Sequence, residues 1–506
     1  MRILFIQNNG IQESIGVANI SGMLKAHGHQ TDLLLITHTP DLEEAIRRFD
    51  PQIIALSALT GVHQSLITLA QRIKETFDVL IVMGGPHPTY SPEVINNQGI
   101  DIICRGEGEE AFLELADNLQ AGRNITKIAN LHVKTADGTI YRNEMRSPSD
   151  LNSLPFPDRE IYYKYPFLRD VPMKRFIASM GCPYPCTFCH EPVIRGMYKG
   201  KGNYVRRKTP QRVVDEIKYI KDRYPLKHVH FSDDLFFIRN AYEWLEEFAE
   251  IYPRQINIPY SCNIRYDSVV EHSADLLVKS GAYGVAIGLE SGSEHLRSVV
   301  IKKNVKNEHM VEGAKLLRER KIKMLTTNMI GLPGETLDQA FETVELNMRL
   351  KSNYTRANTF LLFPGLPMVD YAVKNGFVDP NFDIEKHVAE STEINLITPF
   401  AKEFRNIASL FWIFAMFPPR WVPLFKKIVA WPDNIIFRLL GAMTMTQELY
   451  FYRIDIWSGL KFYWHTVLKS KEMTLRNIPK LIKRRPASSL PVKDEKEIFA
   501  SDRGYL

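Results

Sequence analysis

Five cysteines in 506 residues are too few for a disulfide-built scaffold, and apart from one trio they are scattered. Such sparse usage fits a reducing compartment. A strong charge is missing too: a net charge of +6 over this length makes no general case for nucleic acid as a partner, and any basic surface has to be local. Long apolar runs are also absent. The opening Met1-Arg2-Ile3-Leu4-Phe5-Ile6-Gln7 is too short for a signal-peptide core, and the stretch Ile407 to Phe417 before Pro418-Pro419 is too short to span a bilayer. A cytoplasmic protein is expected, and with 45% apolar residues at this length it should fold as two or three domains.

What the chain does have is Gly181-Cys182-Pro183-Tyr184-Pro185-Cys186-Thr187-Phe188-Cys189-His190. Three thiolates spaced C-x3-C-x2-C on one loop can hold three corners of a four-iron four-sulfur (4Fe-4S) cluster, leaving the fourth iron open to a substrate. A zinc knuckle or a purely electron-transferring cluster is the plainer reading, but each normally wants four protein ligands, and no fourth cysteine is near. His190 is either that missing ligand or, more simply, a packing residue. With aromatic Phe188 just before the last cysteine, the loop resembles the signature of the radical S-adenosylmethionine (SAM) enzymes. The resemblance implies that SAM chelates the open iron through its amino and carboxylate groups. It also implies that an electron from the cluster splits SAM to give a 5'-deoxyadenosyl radical, and that Phe188 touches the adenine.

Over residues 1–145 short apolar runs alternate with helical patterns: Ile3 to Ile6, a helix near Val17 to Ala26, Thr31 to Ile36, Ile53 to Leu56, a helix near Leu66 to Thr76, Val79 to Met83, and Ile100 to Cys104. This predicts a Rossmann-like α/β domain with a parallel sheet whose ligand lies beyond the carboxyl ends of the strands. Gly16, then Ser57-Ala58-Leu59, then Gly84-Gly85-Pro86-His87 resemble, in order and spacing, the cobalamin-binding domain. Glycines there let the backbone approach the cofactor's nucleotide tail, and Ser57 offers a hydroxyl. The resemblance implies cobalamin contacts at Gly16, Ser57, Leu59, Gly84, Gly85 and His87, with His87 and His63 as loop or packing residues rather than cobalt ligands. The run Arg105-Gly106-Glu107-Gly108-Glu109-Glu110 is similar to a segment of the cobalamin-dependent radical SAM subfamily and adds Gly106 and Glu107. Where the motif has Asp and His this chain has Ile11 and Glu13, so cobalamin is expected without a histidine on cobalt. A flavodoxin-like domain without cofactor is the bland alternative.

Five prolines in residues 146–173 predict a linker wrapped along the surface. Six strand-like runs between 174 and 363, each followed by a polar turn, predict a partial (β/α)6 TIM-type barrel over residues 174–380 with its site at the carboxyl ends of the strands. Thr209-Pro210 should start a helix. At one strand end the adjacent carboxylates Asp233 and Asp234 repel unless something positive faces them; the α-ammonium of SAM is the candidate, a solvated helix start the alternative. Arg265 is a partner for the SAM carboxylate or for a neighbouring acid. By resemblance, Glu290 and Ser291 in Leu289-Glu290-Ser291-Gly292 lie by the SAM ribose and carboxylate. Gly331 and Pro333 in Gly331-Leu332-Pro333-Gly334-Glu335-Thr336 lie by its adenine in the same way.

Residues 381–506 read as helical, aromatic and basic. Five of the six tryptophans fall between Trp412 and Trp464, interleaved with Arg420, Lys426, Lys427, Arg438, Arg453 and Lys461 and followed by Lys480, Lys483, Arg484 and Arg485. Such a region suits either helices at an anionic membrane surface or a cap on the barrel. The resemblance as a whole implies a cobalamin-dependent radical SAM enzyme, first of all a C-methyltransferase acting on an unactivated carbon of an apolar or lipid-like substrate. It would take electrons from an external donor such as flavodoxin or ferredoxin and touch the inner face of the membrane peripherally. The runner-up is an oxidative or ring-forming cyclase. A non-catalytic cobalamin-binding or membrane-associated sensor is the reading from another class, and the intact cysteine trio argues against it. No catalytic side chain is singled out.

Overall fold

A computed structural model describes residues 1–8, 13–390 and 394–465. Ile11 and the basic residues at 480–485 lie outside them. The first sheet contains β1 (Arg2–Gln7), β2 (Gln30–Leu35), β3 (Ile53–Ser57), β4 (Leu80–Gly84), β5 (Ile102–Cys104), β6 (Leu131–Lys134) and β7 (Ile140–Arg142), in the order β2-β1-β3-β4-β5-β6-β7. β1 to β5 pair in parallel, and Ile3, Leu4, Phe5 and Ile6 of β1 are buried on both faces, which is why that strand reads as an unbroken apolar run. β6 and β7 add an antiparallel edge that the reading of the sequence did not include; their strands are three or four residues long and carry little pattern. The chain reverses direction across the sheet at β1, between β2 and β3, and this switch point opens a crevice at the carboxyl ends.

The second sheet is all parallel and runs in chain order: β8 (Met173–Phe176), then, past a small ribbon of β9 (Ser179–Met180) and β10 (Arg206–Arg207), β11 (His228–Phe231), β12 (Tyr260–Ile264), β13 (Ala282–Glu290), β14 (Lys323–Ile330) and β15 (Tyr354–Thr359). Strands added one after another with helices between them give the expected open barrel. The helix Pro210–Lys221 starts as its sequence predicts, Thr209 accepting the Arg212 N–H and Val213, Val214, Ile217 and Ile220 buried on one face.

The stretch 146–173 departs from its expectation. It forms two short helices, Glu160–Tyr163 and Pro166–Arg169, and buries Ile161, Tyr162, Tyr163, Phe167 and Leu168 in the core that joins the two sheets. The prolines prevent long elements, but the aromatic side chains between them carry enough apolar area to bring the chain inward.

After the barrel, the helix Ala401–Phe414 lays Phe404, Ile407, Leu410 and Phe411 against Ile330, Phe341 and Val344. Thr444–Phe451 runs beside β15, where Gln447 accepts the Thr355 N–H at 3.0 Å and Glu448 pairs with Arg356, so the edge strand is covered. No helix among the described residues is long and apolar enough to cross a membrane.

Candidate active site between the two sheets

The cysteine loop leaves β9 through Gly181, whose φ of +87° and close approach to Tyr204, 2.9 Å from where a Cβ would stand, suit only glycine. Thr187 ties the loop to the barrel, donating from its N–H to the Ile301 carbonyl at 3.1 Å and from its hydroxyl to the Val300 carbonyl at 2.6 Å. Arg265 places Nη1 3.7 Å from Cys186 Sγ and its guanidinium carbon 3.6 Å from the centre of the Tyr184 ring. Its other donors hold Asp267 at 3.0 Å, the neighbouring acid that the sequence allowed for. Burial pushes the Cys182 thiol up to about 11 and the Cys189 thiol up to about 12. Burial disfavours their thiolates, a cost that a bound cation would offset, and a donor set of three thiols on one loop, none in a disulfide, fits iron of a cluster. Cys104 and Cys262 are buried in strands elsewhere. His190 is a packing residue: its ring stacks on Tyr90 at 3.9 Å and its Nε2 lies 3.4 Å from the Pro364 carbonyl.

The two aspartates after β11 divide. Asp233 is buried and accepts from the Ala178 N–H at 3.0 Å, from the Ser179 hydroxyl at 2.5 Å and from the Ser179 N–H. Its bonds hold the β8–β9 bend, so as an expected partner of the SAM amine it is already engaged. Asp234 is exposed on the cleft wall, and surrounding protein raises its carboxyl. Beside it stands Glu191, which the sequence reading missed: it accepts the Cys182 N–H at 2.8 Å and the Tyr204 hydroxyl at 3.1 Å, and burial with Asp234 nearby pushes it up to about 7. Two carboxyl groups close enough to raise one another beside the cysteine loop would suit a positive charge. Only position two residues past Cys189 could have signalled Glu191.

Glu290 ends β13 with φ +70°, a strained conformation for a non-glycine residue, and pairs with the buried Lys303 at 2.9 Å. Gly288 makes room for that pair, since a Cβ there would lie 2.7 Å from Lys303 Nζ. Ser291 is fully buried inside the turn, its hydroxyl accepting the Ser293 N–H. Gly331 follows β14 with φ +87° and, with Leu332, donates its N–H to Glu335, which burial pushes up to about 8 and whose second oxygen has no hydrogen-bond partner. Pro333 is buried in the same turn, and Phe188 rests half-buried against a cluster containing Leu296, Leu332, Phe360 and Met368. Phe188, Asp234, Glu290 and Gly331 thus share the carboxyl end of the barrel.

On the first sheet Ser57 and Gly84 are partners across β3 and β4, and Gly85, φ +98°, passes so close that a Cβ would lie 2.9 Å from the Ala58 carbonyl. Leu59 and Gly16 are exposed nearby in the chain order expected, Gly16 in the first turn of the helix Ile15–Ala26. His87 is buried and stacked on His63 at 3.7 Å; Glu385 Oε1 lies 3.3 Å from His87 Nε2 and 3.7 Å from His63 Nε2. Burial lowers His63 to about 4 and His87 to about 3. The three could surround a small cation, yet His63 Nδ1 accepts the Gly61 N–H, which puts the imidazole proton on Nε2, the atom that would have to bind metal. The two rings, kept neutral by burial, form a clasp with Glu385 instead. Glu13, at the motif's histidine position, pairs with Arg159 at 2.7 Å.

Glu107 and Gly106 lie at the seam between the two domains. Glu107 pairs with Arg206, accepts the Ser149 N–H at 3.0 Å and donates its own N–H to Tyr198 Oη at 3.2 Å, while Gly106 packs against Met145 and Tyr198. Both join the first sheet's domain to the barrel, and the carboxylate is consumed in doing so.

Residues 1–116 match the B12 binding domain and residues 176–346 the Radical SAM superfamily. An uncharacterized methyltransferase of Pyrococcus horikoshii is 28% identical over 344 residues, 67% of this chain and 73% of that protein. The anaerobic magnesium-protoporphyrin IX monomethyl ester cyclase of Rubrivivax gelatinosus is 27% identical over 431 residues, 79% of this chain and 74% of its own. The fold is shared with the radical SAM methyltransferase TsrM from Kitasatospora setae, with a TM-score of 0.65 at 18% identity over 89% of this chain and 99% of that one.

Proposed function

Since the chain belongs to the cobalamin-dependent radical SAM family, we propose that it is a C-methyltransferase acting on an unactivated carbon of a small, apolar or lipid-like substrate. When bound, the cluster and SAM supply a hydrogen-abstracting carbon radical, and the corrin supplies a transferable methyl group. The observation that carries this reading is the stack of Tyr90 on His190: Tyr90 ends the helix that follows Gly84-Gly85, and His190 follows Cys189, so the two candidate cofactor loops meet at one ring pair.

The chain's own part is to hold and to shield. Cys182, Cys186 and Cys189 would hold the cluster, with Arg265 donating towards the Cys186 sulfur. Asp234 and Glu191 would take the SAM ammonium, Glu290 its ribose, Gly331 and Pro333 its adenine edge with Phe188, and the apolar wall around Phe188 would keep water out. Gly16, Ser57, Leu59, Gly84 and Gly85 would receive the cobalamin tail. Glu13, which stands at the motif's histidine position, cannot act as an imidazole and is held by Arg159, which supports cobalamin bound without a histidine on cobalt. Electrons would come from flavodoxin or ferredoxin, and the C-terminal helices would rest on the inner face of the membrane.

The test is turnover of the anaerobically reconstituted protein with SAM labelled in its methyl group. Label retained in the product carbon skeleton is the expected result. A product oxidised or cyclised with no label would favour the cyclase reading, which the 79% coverage by the Rubrivivax enzyme keeps in view. Absence of SAM cleavage under strong reductant would overturn both.

A further inference from the structure

Fourteen of the twenty large apolar side chains left exposed among the described residues lie between Met416 and Trp464. Most belong to short helices that also bury apolar residues: Phe425 and Val429 of Val422–Val429 and Phe437 of Ile435–Ala442 pack inward, while Ile435, Ile436 and Leu439 face out, Trp431 is exposed between the two helices and Trp457 is 77% exposed. A patch of this extent is a docking surface or a liability. Each helix has only eight residues, so none can cross a bilayer, but each can lie flat in its interface.

Charge decides what covers the patch. Residues 416–464 contain six basic side chains and three acidic ones; Asp433 and Glu448 pair with Arg438 and Arg356 and Lys426 pairs with Asp338, which leaves Arg420, Lys427, Arg453 and Lys461 against Asp455. In sequence, residues 466–485 add seven basic residues and one acidic one. A second copy would bring two faces of the same sign together, whereas anionic headgroups match both the charge and the indole-rich apolar face. We propose that the outward face of the helices between Val422 and Tyr463 is a monotopic docking surface for an anionic lipid bilayer. The same C-terminal region reaches the barrel mouth: Phe404 lies 3.2 Å from where a Gly331 Cβ would stand. The docked region would thus lie beside the strand ends at which a lipid-like substrate would react. That last step rests on the reading of the substrate as lipid-like; the docking does not.

The experiment is flotation of the full-length, cluster-loaded protein with vesicles of phosphatidylcholine and phosphatidylglycerol against phosphatidylcholine alone, read without SAM or turnover. Flotation with the anionic vesicles is expected, reduced about tenfold or more by high salt and by the pair Ile435→Glu and Trp457→Glu, with the iron chromophore unchanged. Failure to float, or flotation indifferent to these substitutions, overturns the proposal. So does a dimer in light scattering that the same substitutions dissolve, or shielding of the indoles from an aqueous quencher in the absence of vesicles, which would mean that the chain covers its own patch. If flotation succeeds while labelled-methyl transfer fails, the surface stands and the reaction reading falls.

Discussion

Cys186 is the most buried of the three loop cysteines and the one that Arg265 faces. Serine there keeps the volume but offers a poor ligand to iron, so Cys186→Ser should remove the brown chromophore and most of the bound iron, and lower SAM cleavage by ~10²-fold or more. His63 and His87 make a different statement. Both pKa values are depressed below 6.5, so the folded protein binds fewer protons than the unfolded chain as pH falls from about 6.5 towards 4 and 3. Stability from this pair is therefore present above pH 6.5 and lost below it, by ~1.4 kcal/mol per pH unit for each ring. Glu385, which faces both rings and is raised by burial, works in the opposite sense and blunts the slope. Urea midpoints measured between pH 7 and 5 should fall, and the double variant His63→Asn, His87→Asn should flatten that fall.

At the level of elements, strand ends decide what can be bound. Gly85 combines φ +98° with contact distances of 2.9 and 3.1 Å from a would-be Cβ to the Ala58 backbone. Gly85→Ala must either shift the β4 turn or press it away from Ala58, at ~1–3 kcal/mol, and should weaken cobalamin uptake while leaving iron content unchanged. Equal loss of both cofactors would point to general misfolding instead. The turn glycines, the Thr209-Pro210 cap and the six βα units were legible in the sequence because each is a local pattern. The separation of Asp233 from Asp234 was not legible, because adjacent residues at a strand end point to opposite sides and only the β8–β9 bend decides which side is buried. Glu191 was hidden for the same reason: its partners, the Cys182 N–H and Tyr204, are set by how the loop closes.

The two sheets act together only if they stay docked. Arg206 and Glu107 are each about nine-tenths buried in the seam, where loss of one charge strands the other, at ~3–5 kcal/mol. Glu107→Gln should speed proteolysis within 146–172 and lower turnover while cobalamin still binds to the first domain; loss of cobalamin with the seam intact would return Glu107 to the cofactor. The sequence by itself determined the thiol trio, the order of two α/β units and the glycines at their strand ends, since spacing and periodicity are written in neighbouring residues. Only the tertiary structure decided that Ile161, Tyr162 and Phe167 of 146–173 are core, that Glu107 is a clamp, that His63, His87 and Glu385 meet, and that the C-terminal helices both cap the barrel and keep an apolar face outward. Each of these depends on contacts between residues far apart in the chain, and burial, which selects among them, is a property of the folded whole.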